Sequence, residues 1–353
     1  MGLYTGWTPL VHARRLGAVL GLSNLFLKLE SYNWPSYSYK DRVAASALQR
    51  AVELGKSTVA CVSTGNVGNS VAALAASAGM NAIIFYPTGL EPGKNIMSLM
   101  HNASIIELDG SFDDVNAICR QLALESDIPF VNLTLRPYYA EGAKTIAYEL
   151  VEQLGWRQPD HVVVPTAGAA LLTRMAYGFE ETALLGLAPS DQKWPRIHAA
   201  QAKGCAPIAN AFAVGASAPK PCVPDTMAKS IAIGNPSDGA AALEVIYESG
   251  GTAQIADDSL IMEAIELLAI TEGVFTEPAG GTAVAVARKL STQGAILPDE
   301  LAVIVVSGSG LKTQEIGKPL LDRIARVPAE YNKSRDIFYK AVEKCGPFEG
   351  IRM

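Results

Sequence analysis

Short runs of β-branched and aromatic residues recur along this chain between alanine-rich stretches, and that rhythm predicts the fold. Leu25-Phe26-Leu27-Lys28-Leu29-Glu30 alternates apolar and polar for part of its length, as a half-buried strand does, and Val43-Ala44-Ala45-Ser46-Ala47-Leu48 reads as the first turns of a helix. Residues 57–62 form the next strand and residues 69–78 have helical composition. Residues 82–86 form another strand, closed by Pro87, and residues 104–108 follow after a further helix. A helix from Phe112 to Leu124 leads into an extended Pro129-Phe130-Val131, and the pattern resumes with strands at 162–164, 196–200 and 302–306. The alternation predicts an α/β protein with two doubly wound, mostly parallel sheets, in which ligands gather beyond the carboxyl ends of the strands. The expected division is a large domain from residues 1–45 plus 140–325, a small mobile domain from 46–139, and a C-terminal extension, 326–353. In that tail Tyr331, Phe338 and Tyr339 among charged residues mark a candidate docking helix.

Composition narrows the class. The chain has 353 residues, 49% hydrophobic and 18% charged, which describes a well-buried enzyme with room for two domains. A net charge of −6 without any basic run argues against nucleic acid as a partner. No segment approaches the length of a membrane span, and Pro9 with polar neighbours stands where a signal peptide needs an apolar core, so the expectation is a cytoplasmic protein without a membrane partner. The five cysteines (Cys61, Cys119, Cys205, Cys222 and Cys345) are widely spaced, as expected of reduced, mostly structural thiols. The four histidines (His12, His101, His161 and His198) lack metal-ligand spacing, so no metal is expected and each reads as structural or solvent-facing.

The candidate chemistry lies where strands give way to helices. In Ser36-Tyr37-Ser38-Tyr39-Lys40-Asp41-Arg42 a lysine opens a helix just after a strand. The positive end of the helix dipole and the neighbouring Arg42 are expected to disfavour its ammonium form, leaving an amine able to form an imine with an aldehyde. Three loops belong with it. Ser63-Thr64-Gly65-Asn66 offers hydroxyls and free N–H groups at a helix start, a seat for a carboxylate or else a plain helix cap. Pro165-Thr166-Ala167-Gly168-Ala169-Ala170 is built of small residues whose amides can hold a phosphate, or can form a tight turn. Ser307-Gly308-Ser309-Gly310-Leu311-Lys312 presents a hydroxyl at the end of the last strong strand. The chain contains no GxGxxG after its first strand, no GxxxxGK[ST] and no GxSxG, so dinucleotide, P-loop and serine-hydrolase readings find no support.

These segments, together with Gly6-Trp7-Thr8-Pro9-Leu10, Gly110-Ser111-Phe112-Asp113-Asp114, Glu141-Gly142-Ala143-Lys144-Thr145, Gln201-Ala202-Lys203-Gly204, Ile233-Gly234-Asn235-Pro236 and Glu277-Pro278-Ala279-Gly280, resemble the threonine synthase family. They occur in that family's order from about residue 5 to residue 315. The resemblance implies the fold-type II architecture of pyridoxal-phosphate enzymes, with pyridoxal 5'-phosphate as cofactor, a small amino-acid substrate and a homodimer. It implies that Lys40 is the Schiff-base lysine and the base that moves protons on substrate carbons. It further implies that Asn66 meets the cofactor's 3-oxygen, that Thr166, Ala167, Gly168, Ala169 and Ala170 hold its phosphate, and that Ser307 faces its pyridine nitrogen. Ser63, Thr64, Gly65 and Asn66 would take the substrate carboxylate, with Ser38, Tyr37, Tyr139 and Arg136 around the rest of the substrate. A neutral hydroxyl at the pyridine nitrogen suits elimination and replacement better than transamination.

The chain departs from the family in the lysine motif, in the loop for the cofactor's phosphate and, at Val67 and residues 133–139, where the substrate's own phosphate would sit. Tyr37 replaces a glycine, Ala167, Ala170 and Leu171 stand where the phosphate loop has glycines and asparagines, and Val67 replaces a threonine. Leu133-Thr134-Leu135-Arg136-Pro137-Tyr138-Tyr139 stands for Asn-Ser-Ile-Asn-Pro-Tyr-Arg, so the arginine expected to grip phosphohomoserine is Tyr139. Arg136 is either a compensating charge or an exposed loop residue. Three readings therefore stay open: an elimination or replacement enzyme on another amino acid, resembling cysteate synthases or dehydratases; threonine synthase itself; or a relative that binds cofactor or partner without turnover.

Overall fold

The computed structural model describes residues 4–63, 65–89, 92–189, 194–324 and 331–344. Two compact units divide it, Met1–Thr313 and Gln314–Met353. In the second unit a 3-10 segment, Gln314–Arg323, is followed by the helix Tyr331–Lys344.

The first unit carries two sheets. Six strands, β1 (Leu10–His12), β2 (Leu25–Leu29), β6 (His161–Pro165), β7 (Arg196–Ala202), β8 (Ala253–Ala256) and β9 (Ala302–Val306), lie in the order β1-β2-β9-β6-β7-β8. All neighbours are parallel except β1 against β2. The remaining three, β3 (Thr58–Val62), β4 (Asn81–Pro87) and β5 (Ser104–Leu108), form a parallel sheet in sequence order, entirely within residues 46–139. β6 and β9 are buried along their whole length, which is why they read as unbroken valine and isoleucine runs: helices cover both faces of a parallel sheet and no solvent face requires polar residues.

Three features differ from the sequence expectation. The extended run 129–131 adds only one parallel bridge, Ala60 to Phe130, to the small sheet. Strand β1 escapes the pattern because it is three residues long and antiparallel at an edge. Strand β8, Ala-Gln-Ile-Ala, has the alanine content of a helix and is held as a strand by β7 on one side.

Local signals explain the element starts nearest the site. Ser111 and Asp114 form a reciprocal capping box that opens the helix Phe112–Glu125. At the start of the helix Lys40–Glu53, the buried Asp41 carboxylate accepts the Ser36 hydroxyl at 2.6 Å and the Ser36 N–H at 3.1 Å, which folds the preceding turn back on the helix. Arg42, one position on, is clamped between two carboxylates, Glu30 (2.8 Å) and Glu149 (2.7 Å), and Glu149 also receives Lys28 at 2.7 Å. This buried network ties the chain at Trp7 and Thr8 to β2, to the Lys40 helix and to the helix Thr145–Gln153.

Candidate active site

Lys40 is the first residue of its helix, and the backbone before it is fastened to the end of β9: the Tyr39 N–H donates to the Ser307 carbonyl at 3.0 Å, and Ser38 bridges Gly308. Lys40, Ser63 and the residues 166–170 line one cavity, so the junctions after β2, β3 and β6 converge on it. Within it Lys40 Nζ donates to the Tyr139 hydroxyl at 3.0 Å and lies 4.4 Å from the centre of the Tyr39 ring.

The electrostatics of Lys40 correct the expectation from sequence. Burial disfavours its ammonium, but the hydroxyls of Tyr139 and Tyr39 outweigh burial and raise its pKa above the ordinary lysine value. Arg42 does not depress it, because the Arg42 guanidinium turns away into the Glu30 and Glu149 carboxylates. Two other buried lysines do have lowered pKa values: desolvation draws Lys28 down despite Glu149 and Glu30, and pulls Lys312 down to about 8 against the attraction of Glu277 and Asp41, with Lys312 Nζ donating to the Ser36 carbonyl at 2.7 Å.

The loop after β3 turns sharply into the helix Asn66–Ser77. Gly65 has φ of 121°, and a Cβ there would lie 2.1 Å from the Lys94 side chain, so only glycine passes. Ser63 Oγ accepts the N–H groups of Gly65 (2.9 Å) and Gly68 (2.8 Å), the capping role, while Thr64 lies outside the described residues. Asn66 gives its amide nitrogen to both oxygens of Glu277, at 2.8 and 2.9 Å. Its own amide oxygen is buried without a partner, as is the hydroxyl of Ser38.

After β6, Thr166 turns its hydroxyl back to the Val164 carbonyl and Ala169 adopts the left-handed conformation, φ 73°, to start the helix Ala170–Leu184. A Cβ on Gly168 would have nothing nearer than 3.8 Å, so the loop leaves open space beside backbone amides at the positive end of a 15-residue helix. Small side chains, free space and amide donors fit a phosphate. Ser38, Asn66 and Ser307 are not among the residues lining that cavity; the Asn66 amide nitrogen is taken by Glu277 and its free oxygen can only accept, so a donor to a ring oxygen requires the amide to turn.

Of the candidates around the substrate, Tyr37 is 42% exposed with φ 61°, so the tyrosine keeps the left-handed backbone that a glycine would favour and points its ring outward. Tyr139 is buried against Lys40. Arg136 lines the cavity, but its guanidinium bonds Asp238 at 2.6 and 2.7 Å and the Ser237 hydroxyl at 2.9 Å. Sequence reasoning gave no role to Tyr39, Glu277 or Asp238. The Glu277-Pro278-Ala279-Gly280 motif was a signal for Glu277; nothing in the sequence marked Asp238.

Among the described residues no cluster of three or more histidine, cysteine, aspartate or glutamate side chains could hold a metal, and no helix is long and apolar enough to cross a membrane. His161 and His198 are buried in hydrogen-bond contact at 2.9 Å, a structural pair at the far end of β6 and β7. Cys61, Cys119, Cys205 and Cys222 are free thiols; Cys345 lies outside the described residues.

The family model described as pyridoxal-phosphate dependent enzyme matches residues 2–308. Threonine synthase of Methanosarcina acetivorans is 38% identical over 339 residues, covering 95% of this chain and 82% of that protein. Threonine synthase of Methanocaldococcus jannaschii is 39% identical over 314 residues, covering 88% and 76%. Among solved structures, maize serine racemase superposes with a TM-score of 0.73 at 22% identity, covering 91% of this chain and 95% of that one. Tomato threonine deaminase gives 0.73 at 20%, covering 89% and 88%. The fold shared with these structures and the sequence shared with those synthases make this chain a pyridoxal-phosphate dependent enzyme of the threonine synthase type.

Proposed function

We propose that the protein catalyses elimination or replacement on an amino acid that carries no phosphate group. Residues 166–170 hold the cofactor phosphate through backbone amides, Asn66 meets the cofactor's 3-oxygen and Ser307 its pyridine nitrogen. Ser63, Thr64, Gly65 and Asn66 take the substrate carboxylate, with Ser38 on the neighbouring turn and the Tyr37 ring facing outward. What bound pyridoxal phosphate supplies is electron withdrawal from the substrate's α-carbon. Lys40 anchors the cofactor and then moves the α-proton, and Tyr139, as its hydrogen-bond partner, receives or returns a proton at Nζ. The leaving group departs from the β- or γ-carbon. Residues 46–139 serve as the mobile lobe that shuts water out, and two copies assemble as a homodimer.

The observation that carries this reading is at Arg136 and Tyr139. Where phosphohomoserine would need a free guanidinium, one position holds a tyrosine bonded to Lys40 and the other an arginine already bonded to Asp238. The names of the relatives favour a second reading, in which the chain is itself a threonine synthase. The two part in a screen of amino acids and their O-phospho and O-acetyl derivatives, followed by the visible band of the cofactor-loaded protein. The proposal expects the strongest response from a compound without phosphate; saturable conversion of O-phosphohomoserine to threonine at an ordinary enzymatic rate would sink it.

A further inference from the structure

The cavity contains three cationic side chains, Lys40, Arg120 and Arg136. Each has company. Lys40 is held by Tyr139, Arg120 stands within electrostatic reach of the Asp113 carboxylate, and Arg136 is bonded by Asp238. The last pairing is the most constrained. A single guanidinium nitrogen meets both oxygens of Asp238 and the Ser237 hydroxyl, and the two charged side chains are 34% and 23% exposed. Asp238 is fixed from behind: its N–H donates to the Gly168 carbonyl at 3.1 Å, within the loop proposed to hold the cofactor phosphate, and its carbonyl accepts the Ala242 N–H at 2.9 Å in the helix Gly239–Glu248. The carboxylate therefore sits on the rim of the same loop that shapes the cavity, at the arginine an anionic side chain would seek.

We infer that Asp238 is a specificity-determining residue: by occupying Arg136 it acts as a built-in competitor for anionic substrate groups and selects amino acids whose side chains are uncharged. The inference rests on the reading above that the substrate is unphosphorylated, and it names the residue responsible. An incoming phosphate must displace a carboxylate that is already in hydrogen-bond geometry and tethered through its backbone, whereas a neutral leaving group meets no such competition. Like charge on Asp238 also repels the phosphate directly.

The test uses the cofactor-loaded protein, so that the cofactor's phosphate seat is filled, titrated at low ionic strength with O-phospho-L-serine and with L-serine while the visible band is followed. Asp238→Asn removes the charge and keeps the shape. It is expected to tighten binding of O-phospho-L-serine about tenfold and leave L-serine unchanged, since only the anion competes for Arg136. Arg136→Gln combined with Asp238→Asn is expected to lose that gain. Equal affinity of wild type and Asp238→Asn for O-phospho-L-serine, a parallel gain for L-serine, or a gain that survives in the double variant would each overturn the inference. Turnover of O-phosphohomoserine by the wild type is a separate measurement: it bears on the functional reading, while the difference between Asp238→Asn and its double variant bears on Asp238.

Discussion

Lys40 Nζ and the Tyr139 hydroxyl oxygen lie 3.0 Å apart, and this contact reverses the charge behaviour expected of a lysine at a helix start. The ammonium is retained by its tyrosine partners. Tyr139→Phe removes the acceptor while keeping the ring, so the free amine forms at lower pH. The rate at which pyridoxal phosphate is captured, measured against pH, is expected to shift toward acid in this variant. An unshifted profile would show that the Tyr139 hydroxyl does not hold the proton on Lys40.

Glu277 orients Asn66 through two hydrogen bonds to one amide nitrogen. Glu277→Gln keeps the volume but brings an amide donor toward an amide donor, freeing Asn66 to rotate. Affinity for pyridoxal phosphate, followed by absorbance, is expected to fall about tenfold, or about 1.4 kcal/mol, the net contribution of one intramolecular hydrogen bond. Unchanged affinity would remove Glu277 from the site's supporting structure.

Arg42 is buried beside two carboxylates, so removing one leaves a poorly compensated charge. Glu30→Gln is expected to destabilise the protein by about 3 kcal/mol, by analogy with broken buried ion pairs. The thermal midpoint reads the loss; a midpoint equal to wild type would show that Glu149 alone satisfies the guanidinium.

The His161–His198 pair gives the stability an acid edge. His198 is drawn down to about 3 by burial, with His161 and Arg196 adding to the effect, from an ordinary value of 6.5. Below pH 6.5 the unfolded chain takes up a proton that the folded chain refuses, so stability erodes as pH falls from 6.5 toward 3. Unfolding midpoints at successive pH values should show that slope, and His198→Gln should flatten it. A variant as acid-sensitive as wild type would place the slope elsewhere.

How much of this was legible in the sequence follows from the range of each signal. Ser63 and Thr166 were visible because each follows an apolar strand directly, or after one proline, and strand ends in parallel sheets converge; Lys40 was visible as the lysine that opens the helix Lys40–Glu53, with ten residues between it and β2. Their partners were not. Asn66 and Glu277 are 211 positions apart, Arg136 and Asp238 102, and no local pattern announces a contact of that span. The pKa of Lys40 was misjudged for a related reason: Arg42 is its neighbour in sequence, whereas Tyr139, 99 positions away, is its neighbour in space. Strand β8 escaped because its alanines favour a helix locally, and the strand forms where β7 offers its edge.

The amine at position 40 is the proposed carrier of pyridoxal phosphate. Purified wild-type protein and Lys40→Ala, each mixed with pyridoxal phosphate and reduced with borohydride, are compared by visible absorbance before reduction and by peptide mass after it. A visible band is expected for wild type only, with the reduced cofactor on the peptide containing Lys40. A wild type without the band, or a Lys40→Ala protein with the same band, would contradict it.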